Sequence, residues 1–201
     1  SSFQIDQPSR GFSTRANGPL DMRMSEGIEL TARTIINEYS VEELSKLFRD
    51  NADIKEAWKL SKAIVAARGV KPIETIDQFK VVILPSAQRG KENSFLSRVF
   101  QAIRIDVNAE MEALEEMLSQ MPNILSEGGR LVVISYHSLE DRLVKNLVRS
   151  GNIEGEIEKD FYGKPLVPFK AISRKPIIPT DEEIARNPRA RSAKLRVAER
   201  I

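Results

Sequence analysis

GGRLVVISYHSLEDRLVKNLVR, residues 128–149, has the pattern of a turn, a strand and a helix in succession. The apolar, β-branched run at 131–134 predicts a buried strand. Leucines then recur at helical spacing, at Leu139, Leu143 and Leu147. Ser138 suits the N-cap of this helix, and Asp141 would lie near the positive end of its dipole. Because ligands of a parallel α/β sheet bind where strands end and helices begin, the polar residues 135–138 are the first candidate site.

The length and the charge of the chain set broad limits on its class. The 201 residues suit one domain with an insertion, or two small domains, and can bury a substantial core. The chain has 31 Lys+Arg and 29 Asp+Glu, a net charge of +2. Residues 164–201 contain ten Lys/Arg against four Asp/Glu, a local net charge of +6. This basic segment could contact phosphates, or it could be an ordinary solvated surface.

No cysteine is present, which excludes disulfides, thiolate metal sites and cysteine nucleophiles within these residues. No apolar run approaches the roughly 20 residues that a membrane span needs, and the first residues do not resemble a signal peptide. We therefore expect a cytoplasmic protein that does not associate with membranes. The sequence begins with SSFQID rather than with methionine, so we expect it to be a piece of a longer protein.

The first part of the chain predicts an ordered loop followed by a helical block. Residues 1–24 are rich in turn formers but contain apolar anchors. Residues 26–121 predict helices throughout, and capping-box patterns at Ser40 and Thr75 mark two helix starts. Trp58 lies on an apolar stripe and is expected in the core. Four cations could form a phosphate-facing edge, or could be solvated or paired with carboxylates: Arg89, Lys91, Arg98 and Arg104.

Two further strands are predicted after the strand–helix unit, at residues 166–172 and 193–197. A short helix is predicted between them, at residues 181–186. In residues 193–198 apolar and basic side chains alternate, which is typical of a half-covered edge strand.

These strands are too few to complete a doubly wound sheet, and no G-x-G-x-x-G motif occurs. A nucleotide-like cofactor would therefore have its main binding site upstream of Ser1. We predict an α/β fold in which residues 1–26 and 122–201 form part of one domain and residues 27–121 form an all-helical insertion. Without its first strands, the sheet would expose an edge and apolar surface, which would favour aggregation, a homodimer or rearrangement.

Four long blocks span almost the whole chain: RGFSTRANGPLDMRM (10–24), RGKENSFLSRVFQAIRIDVNAEME (89–112), GGRLVVISYHSLEDRLVK (128–145) and NPRARSAKLRVAER (187–200). In sequence and in order they closely resemble the bacterial RsmH (MraW) family. The resemblance implies a Rossmann-like, S-adenosylmethionine-dependent methyltransferase with a helical insertion. It implies a reaction at the N4 amino group of a cytidine in 16S rRNA, in the decoding centre of the small ribosomal subunit. The family's glycine-rich cofactor motif would precede the first block, so we expect this fragment to be inactive alone.

The resemblance also suggests site residues. Gln4 falls on a cofactor-binding position of the family. We hypothesise that the catalytic cleft around the cytosine is formed by Ser1, Ser2, Asp21, His137 and Asp141. We predict that rRNA is contacted by Arg89, Lys91, Arg104, Arg189, Arg191 and Arg196. For Asp21 and Asp141 the alternative is that they fasten loops and cap a helix.

Parts of the sequence are also compatible with two other functions. The chain could be a helical RNA- or partner-binding module without catalysis, and a glycine-rich strand–turn–helix encoded upstream would argue against that. A hydrolase built on His137, Ser138 and Asp141 is disfavoured, because Ser138 and Asp141 suit helix-capping roles and the chain has a single histidine. No spacing of residues typical of a metal site supports it either.

Overall fold

The computed structural model describes residue 5 and residues 7–201, and it divides into two compact units. Unit 1 comprises residues 1–110 and unit 2 comprises residues 111–201. The predicted division into a discontinuous α/β domain and a helical insertion stays a prediction. No helix in the described part of the chain is long and apolar enough to cross a membrane.

Unit 1 is helical, as predicted. Its helices are α1 (Ala32–Glu38), α2 (Val41–Ala52), α3 (Ala57–Val70), α4 (Ile76–Ile83) and α5 (Glu92–Val107). The capping boxes predicted at Ser40 and Thr75 are confirmed. In each, the N-cap oxygen accepts from the backbone N–H three residues on, and the side chain of Glu43 or Gln78 accepts in return. These helix starts are therefore encoded locally.

Trp58 is not in the core of unit 1, so that prediction was wrong. Its side chain is 47% exposed, and Lys62 Nζ lies 5.5 Å from the centre of its ring. Helix α3 buries Ala57, Leu60 and Ile64 instead. Trp58 follows Ala57 and so lies about 100° further around the helix, where its indole points toward solvent.

Within the predicted N-terminal loop, residues 12–24 are anchored in unit 1 by apolar side chains. Leu20 and Met22 are fully buried in the core of this unit. The side chain of Asn108 accepts a hydrogen bond from the backbone N–H of Met24 at 2.7 Å and donates to the carbonyl of Met22 at 2.8 Å. Asp21 lies between the two buried side chains, so its backbone position is fixed by packing on both sides.

Unit 2 combines helices with a small sheet, which agrees with the predicted α/β class. Its elements are α6 (Glu110–Ile124, which begins at the boundary), β1 (Arg130–Ser135), α7 (Ser138–Ser150), β2 (Phe169–Ala171), α8 (Asp181–Arg186) and β3 (Lys194–Arg200). The sheet order is β1-β3-β2, and β3 is antiparallel to both neighbours. Strands β1 and β2 therefore run parallel to each other. The core of unit 2 is formed by Leu118, Leu131, Leu143, Val144, Leu147, Phe169 and Ala198.

Strand β3 is central, so the prediction of an edge strand was wrong. The basic side chains of Lys194 and Arg196 reach Asp141 on α7 and are not simply solvated. On the other face of the sheet, Leu195 is paired with Ile134, whose side chain is 55% exposed. The alternation along β3 does separate two chemically different faces, but the strand has a hydrogen-bonded neighbour on both sides instead of on one side only.

Candidate active site

The predicted polar segment connects the end of β1 to the start of α7. The N-cap of α7 is His137 and not Ser138, which corrects the prediction by one residue. His137 Nδ1 accepts from the backbone N–H of Glu140 at 3.4 Å. Glu140 Oε2 accepts in return from the backbone N–H groups of Tyr136 (2.7 Å) and His137 (3.2 Å). The reciprocal bonds link residues three apart, 137 and 140, and so set the first residue of the helix.

The Nε2 atom of His137 is a buried polar atom without a hydrogen bond in the described part of the chain. The side chain is only 9% exposed, and Nε2 has no hydrogen-bond partner in the described part of the chain. Because Nδ1 accepts from a backbone N–H, we assign the proton of the neutral ring to Nε2. Nε2 lies 3.2 Å from Glu140 Oε1, but the N–H does not point at that oxygen. A donor left unpaired in this way is costly and marks a place where a ligand could accept.

Glu140, which contacts this histidine, is an ionised carboxylate. Burial raises the pKa of Glu140, but the adjacent His137 ring and the hydrogen bonds from the backbone N–H groups of Tyr136 and His137 outweigh that effect. The net pKa of the carboxyl therefore lies below its ordinary value. Glu140 is thus a capping and positioning group in this structure.

Asp141 is buried at the start of α7 and is fully engaged by two cations. Its Oδ1 accepts from Arg196 Nε at 2.7 Å, and its Oδ2 accepts from Arg196 Nη2 and from Lys194 Nζ, both at 3.2 Å. Burial raises the pKa of Asp141, but the hydrogen bonds and charges of Arg196 and Lys194 outweigh it and lower the pKa below 3.8. The carboxylate therefore fastens α7 to β3. The i, i+2 spacing of the two cations on one strand face was the sequence signal for this pairing.

Asp21 is the candidate acid of unit 1, and it is held by Arg23. Arg23 Nε and Nη2 donate to Asp21 Oδ1 and Oδ2, each at 2.8 Å, and the Arg23 backbone N–H donates to Oδ1 at 3.0 Å. The side-chain hydrogen bond from Arg23 lowers the pKa of Asp21, against the opposing effect of burial. Met22, between them, has φ +62, a conformation that long side chains rarely adopt and that is concentrated at functional sites.

A polar cavity of about 290 Å³ lies beside this acid. It is lined by Gln7, Ser9, Arg10, Asp21, Arg23, Ser25 and Glu26. The lining is rich in donors and acceptors, which suits a polar ligand such as the edge of a base.

The structure brings only some of the predicted catalytic residues together. His137 and Asp141 lie within the first turn of α7 in unit 2, whereas Asp21 belongs to unit 1. Ser1, Ser2 and the predicted cofactor residue Gln4 lie outside the described residues. The shared cleft around a cytosine therefore stays a prediction.

The predicted RNA-binding cations fall into two groups. Arg104 and Arg196 are partly buried and make bidentate ion pairs, Arg104 with Glu110 at 2.9 Å for both bonds and Arg196 with Asp141. The others are exposed at the surface: Arg89, Lys91, Arg189 and Arg191. Their side chains are at the surface, where a phosphate could reach them. The RNA-binding role of all six stays a prediction.

Comparison with known proteins gives a family match over the entire chain. A family model described as the MraW methylase family matches residues 1–201. Three curated relatives, each named "Ribosomal RNA small subunit methyltransferase H", are similar over 100% of the chain. They come from Amoebophilus asiaticus (54% identity), Parabacteroides distasonis (52%) and Christiangramia forsetii (54%). The chain spans 64%, 66% and 66% of their respective lengths.

Replacing Asp141 with Asn should destabilise the protein in a pH-dependent manner. We expect a loss of about 2–3 kcal/mol at pH 7, since removing one partner leaves the Arg196 and Lys194 charges in a partly buried place. In the wild-type protein the ionised Asp141 carboxylate contributes to the free energy of unfolding at pH values above about 3.8, the ordinary pKa of the group. That contribution is lost as the pH falls through the lower pKa of the folded state, so the difference between wild type and variant should shrink there. Urea denaturation of both proteins at pH 7, 5 and 3 measures this difference in the free energy of unfolding.

Asp77→Asn is the matched control, because Asp77 is also in the first turn of a helix but its ion pair with Lys80 is exposed. Its loss should stay below about 1 kcal/mol. Equal losses in the two variants at pH 7 would show that Asp141 acts only through the helix dipole.

Proposed function

The chain belongs to the MraW methylase family, and on that basis we propose that the full-length protein is an S-adenosylmethionine-dependent methyltransferase of small-subunit ribosomal RNA. In finer detail, we propose that it methylates the N4 amino group of a cytidine of 16S rRNA in the decoding centre. The observation that carries this proposal is the family match over residues 1–201. The names of the relatives support the substrate class.

We propose that unit 2 is the C-terminal part of a Rossmann-like sheet. In support, β1 and β2 are parallel to each other, with the antiparallel β3 between them, as in a mixed sheet. Val132 and Ile134 on β1 are 58% and 55% exposed, while Leu131 on the opposite face is buried. Strands that are apolar on both faces are typical of sheets covered by helices on both sides.

The residues at the end of β1 are proposed to contact S-adenosylmethionine. The buried Nε2 of His137 makes no hydrogen bond within the described residues, and it lies at the end of β1, where ligands of α/β proteins bind. This fits a ligand that offers an acceptor there. Gln4 is proposed as a further contact to the cofactor. When bound, S-adenosylmethionine would supply the methyl group from its sulfonium.

Two residues are proposed to act on the amine that is methylated. The lone pair of the exocyclic amine of cytosine is delocalised into the ring, so the amine is a poor nucleophile. A group that accepts its N–H would make the lone pair more available and could take the proton that the product loses. The lowered pKa keeps Asp21 ionised at neutral pH and able to accept, while His137 would bind or orient through Nε2. We propose Asp141 as a positioning residue, since its carboxylate is more buried than that of Asp21 and is bound by two cations, Arg196 and Lys194.

We propose that rRNA is held by the exposed cations of both units. Phosphate contacts supply affinity that falls with salt, and a base in structured RNA must leave its stack before it can react. Lys91 and Arg191 are exposed and suited to this role. Arg104 and Arg196 would have to exchange their carboxylate partners for phosphate, so we expect them to contribute less.

The proposed function predicts a difference between the full-length protein and residues 1–201. Calorimetry with S-adenosylmethionine should show binding by the full-length protein and none by the fragment. The full-length protein should transfer labelled methyl groups to small ribosomal subunits, and digestion of the rRNA should release N4-methylcytidine. RNA binding by the full-length protein without transfer would favour the alternative, a helical RNA- or partner-binding module. Cofactor binding by the fragment would contradict an upstream binding site.

Replacing His137 separates capping from a role in the reaction. His137→Asn keeps an N-cap acceptor but removes Nε2, whereas His137→Ala removes both. In the full-length protein we expect both to lower the rate of methyl transfer by about 100-fold, the scale expected when a reacting group loses its positioning contact. Only the Ala variant should also lose about 1 kcal/mol of stability. Wild-type activity in His137→Asn would leave His137 with the capping role alone.

Reversing an exposed charge should weaken RNA binding. Lys91→Glu and Arg191→Glu should each reduce the affinity for 16S rRNA and lower the slope of log K against log salt by about 1. Lys55→Glu, at an exposed lysine outside the predicted set, is the matched control. Unchanged affinity and slope in the first two variants would remove these residues from the RNA-binding surface.

A further inference from the structure

The segment after α7 presents two aromatic side chains almost entirely to solvent. Phe161 is 98% exposed and Tyr162 is 91% exposed, and their rings meet edge to face with centroids 5.6 Å apart. Ile157 and Leu166, at the base of the same segment, are 45% and 55% exposed. We call residues 154–166 the aromatic loop. Scattered apolar residues on a surface are ordinary, but two almost fully exposed aromatic rings in contact with each other indicate an interaction site.

The base of the aromatic loop is fastened to the end of α7. Asn152 Oδ1 accepts from the backbone N–H of Gly155 at 2.9 Å and of Glu156 at 3.1 Å, and its amide donates to the Glu156 carbonyl at 2.7 Å. Arg149 donates to the Gly155 carbonyl at 2.8 Å. Gly155 has φ +84, and a Cβ there would lie 2.8 Å from the Asn146 side chain. The loop therefore leaves the helix in a fixed direction.

The tip of the aromatic loop is also set by its own hydrogen bonds. Asp160 Oδ1 accepts from the backbone N–H groups of Tyr162 (2.9 Å) and Lys164 (2.8 Å). The Asp160 N–H donates to the Lys164 carbonyl at 2.8 Å, and the Leu166 N–H donates to the Glu158 carbonyl at 2.8 Å. The two rings thus project from an ordered turn. Because the backbone of the turn is held by these bonds, little backbone entropy is lost when the rings bind, which favours a tight contact.

The charge around the rings indicates what kind of partner they fit. Residues 154–164 contain four carboxylates and two lysines, a local net charge of −2. Three of the carboxylates, on Glu154, Glu156 and Glu158, are exposed. An RNA backbone would be repelled by this surface, whereas a basic protein surface would be attracted to it. Aromatic anchors inside a polar, charged rim are typical of protein–protein contacts.

We propose that the aromatic loop is a protein-docking element that inserts Phe161 and Tyr162 into an apolar pocket of a basic protein surface. The inference rests on the proposed function for the identity of the partner, which is then a basic protein component of the small ribosomal subunit. The loop would give the enzyme a contact that protein-free rRNA cannot provide.

The test compares the full-length protein with its Phe161→Ala/Tyr162→Ala variant, on intact small subunits and on protein-free 16S rRNA. Fluorescence anisotropy should show at least a tenfold loss of affinity for subunits and less than a twofold change for the RNA. Trp58→Ala, at another exposed aromatic, should change neither. Equal melting temperatures check that the variants are folded. Unchanged affinity for subunits would overturn the proposal.

Charge variants distinguish a protein partner from stacking on bases. Neutralising Glu154, Glu156 and Glu158 to Gln should slow association with subunits and weaken its salt dependence. Neutralising Lys159 and Lys164 to Gln should not weaken binding. The reverse pattern, or an equal loss on protein-free rRNA, would show that the rings stack on RNA bases and would overturn the proposal. Methyl transfer by the wild-type protein to small ribosomal subunits tests the proposed function independently of these results.

Discussion

The ion pair between Asp141 and the two cations of β3 supports the whole candidate site of unit 2. Strand β3 is hydrogen-bonded to β1 and to β2, so a helix fastened to β3 is fixed relative to the entire sheet. A carboxylate in this partly buried place needs partners that offset its desolvation, and Arg196 provides two of the three bonds. The start of α7, and with it His137, is thereby held in one position.

His137 shows how capping and ligand binding can share one ring. Its Nδ1 atom takes the place of the hydroxyl or carboxylate oxygen that usually caps a helix, and Glu140 completes the capping box. A serine, Ser138, stands next in the chain, yet the helix begins one residue earlier. With a histidine at this position, Nε2 is buried 3.2 Å from Glu140 Oε1 and makes no hydrogen bond in the described part of the chain.

Both candidate acids are held in place by guanidinium groups, but with different consequences. Arg196 and Lys194 bind both oxygens of the buried Asp141, so its charge stabilises the contact between α7 and β3. Asp21 and its partner Arg23 are about 30% exposed and lie beside a polar cavity. Because Asp21 remains accessible and ionised, it is the better candidate for a group that accepts a hydrogen bond from a substrate.

The sequence by itself determined what depends on neighbours along the chain. The capping boxes at Ser40 and Thr75 and the strand–helix unit at 130–150 follow from spacings of three and four residues, and the four long blocks were enough to identify the family. Only the tertiary structure decided which face of each element is covered. It placed Trp58 in solvent, made β3 a central strand and paired Asp141 with residues more than 50 positions away. Burial and long-range ion pairs depend on which surfaces meet, and a local pattern of residue types does not contain that information.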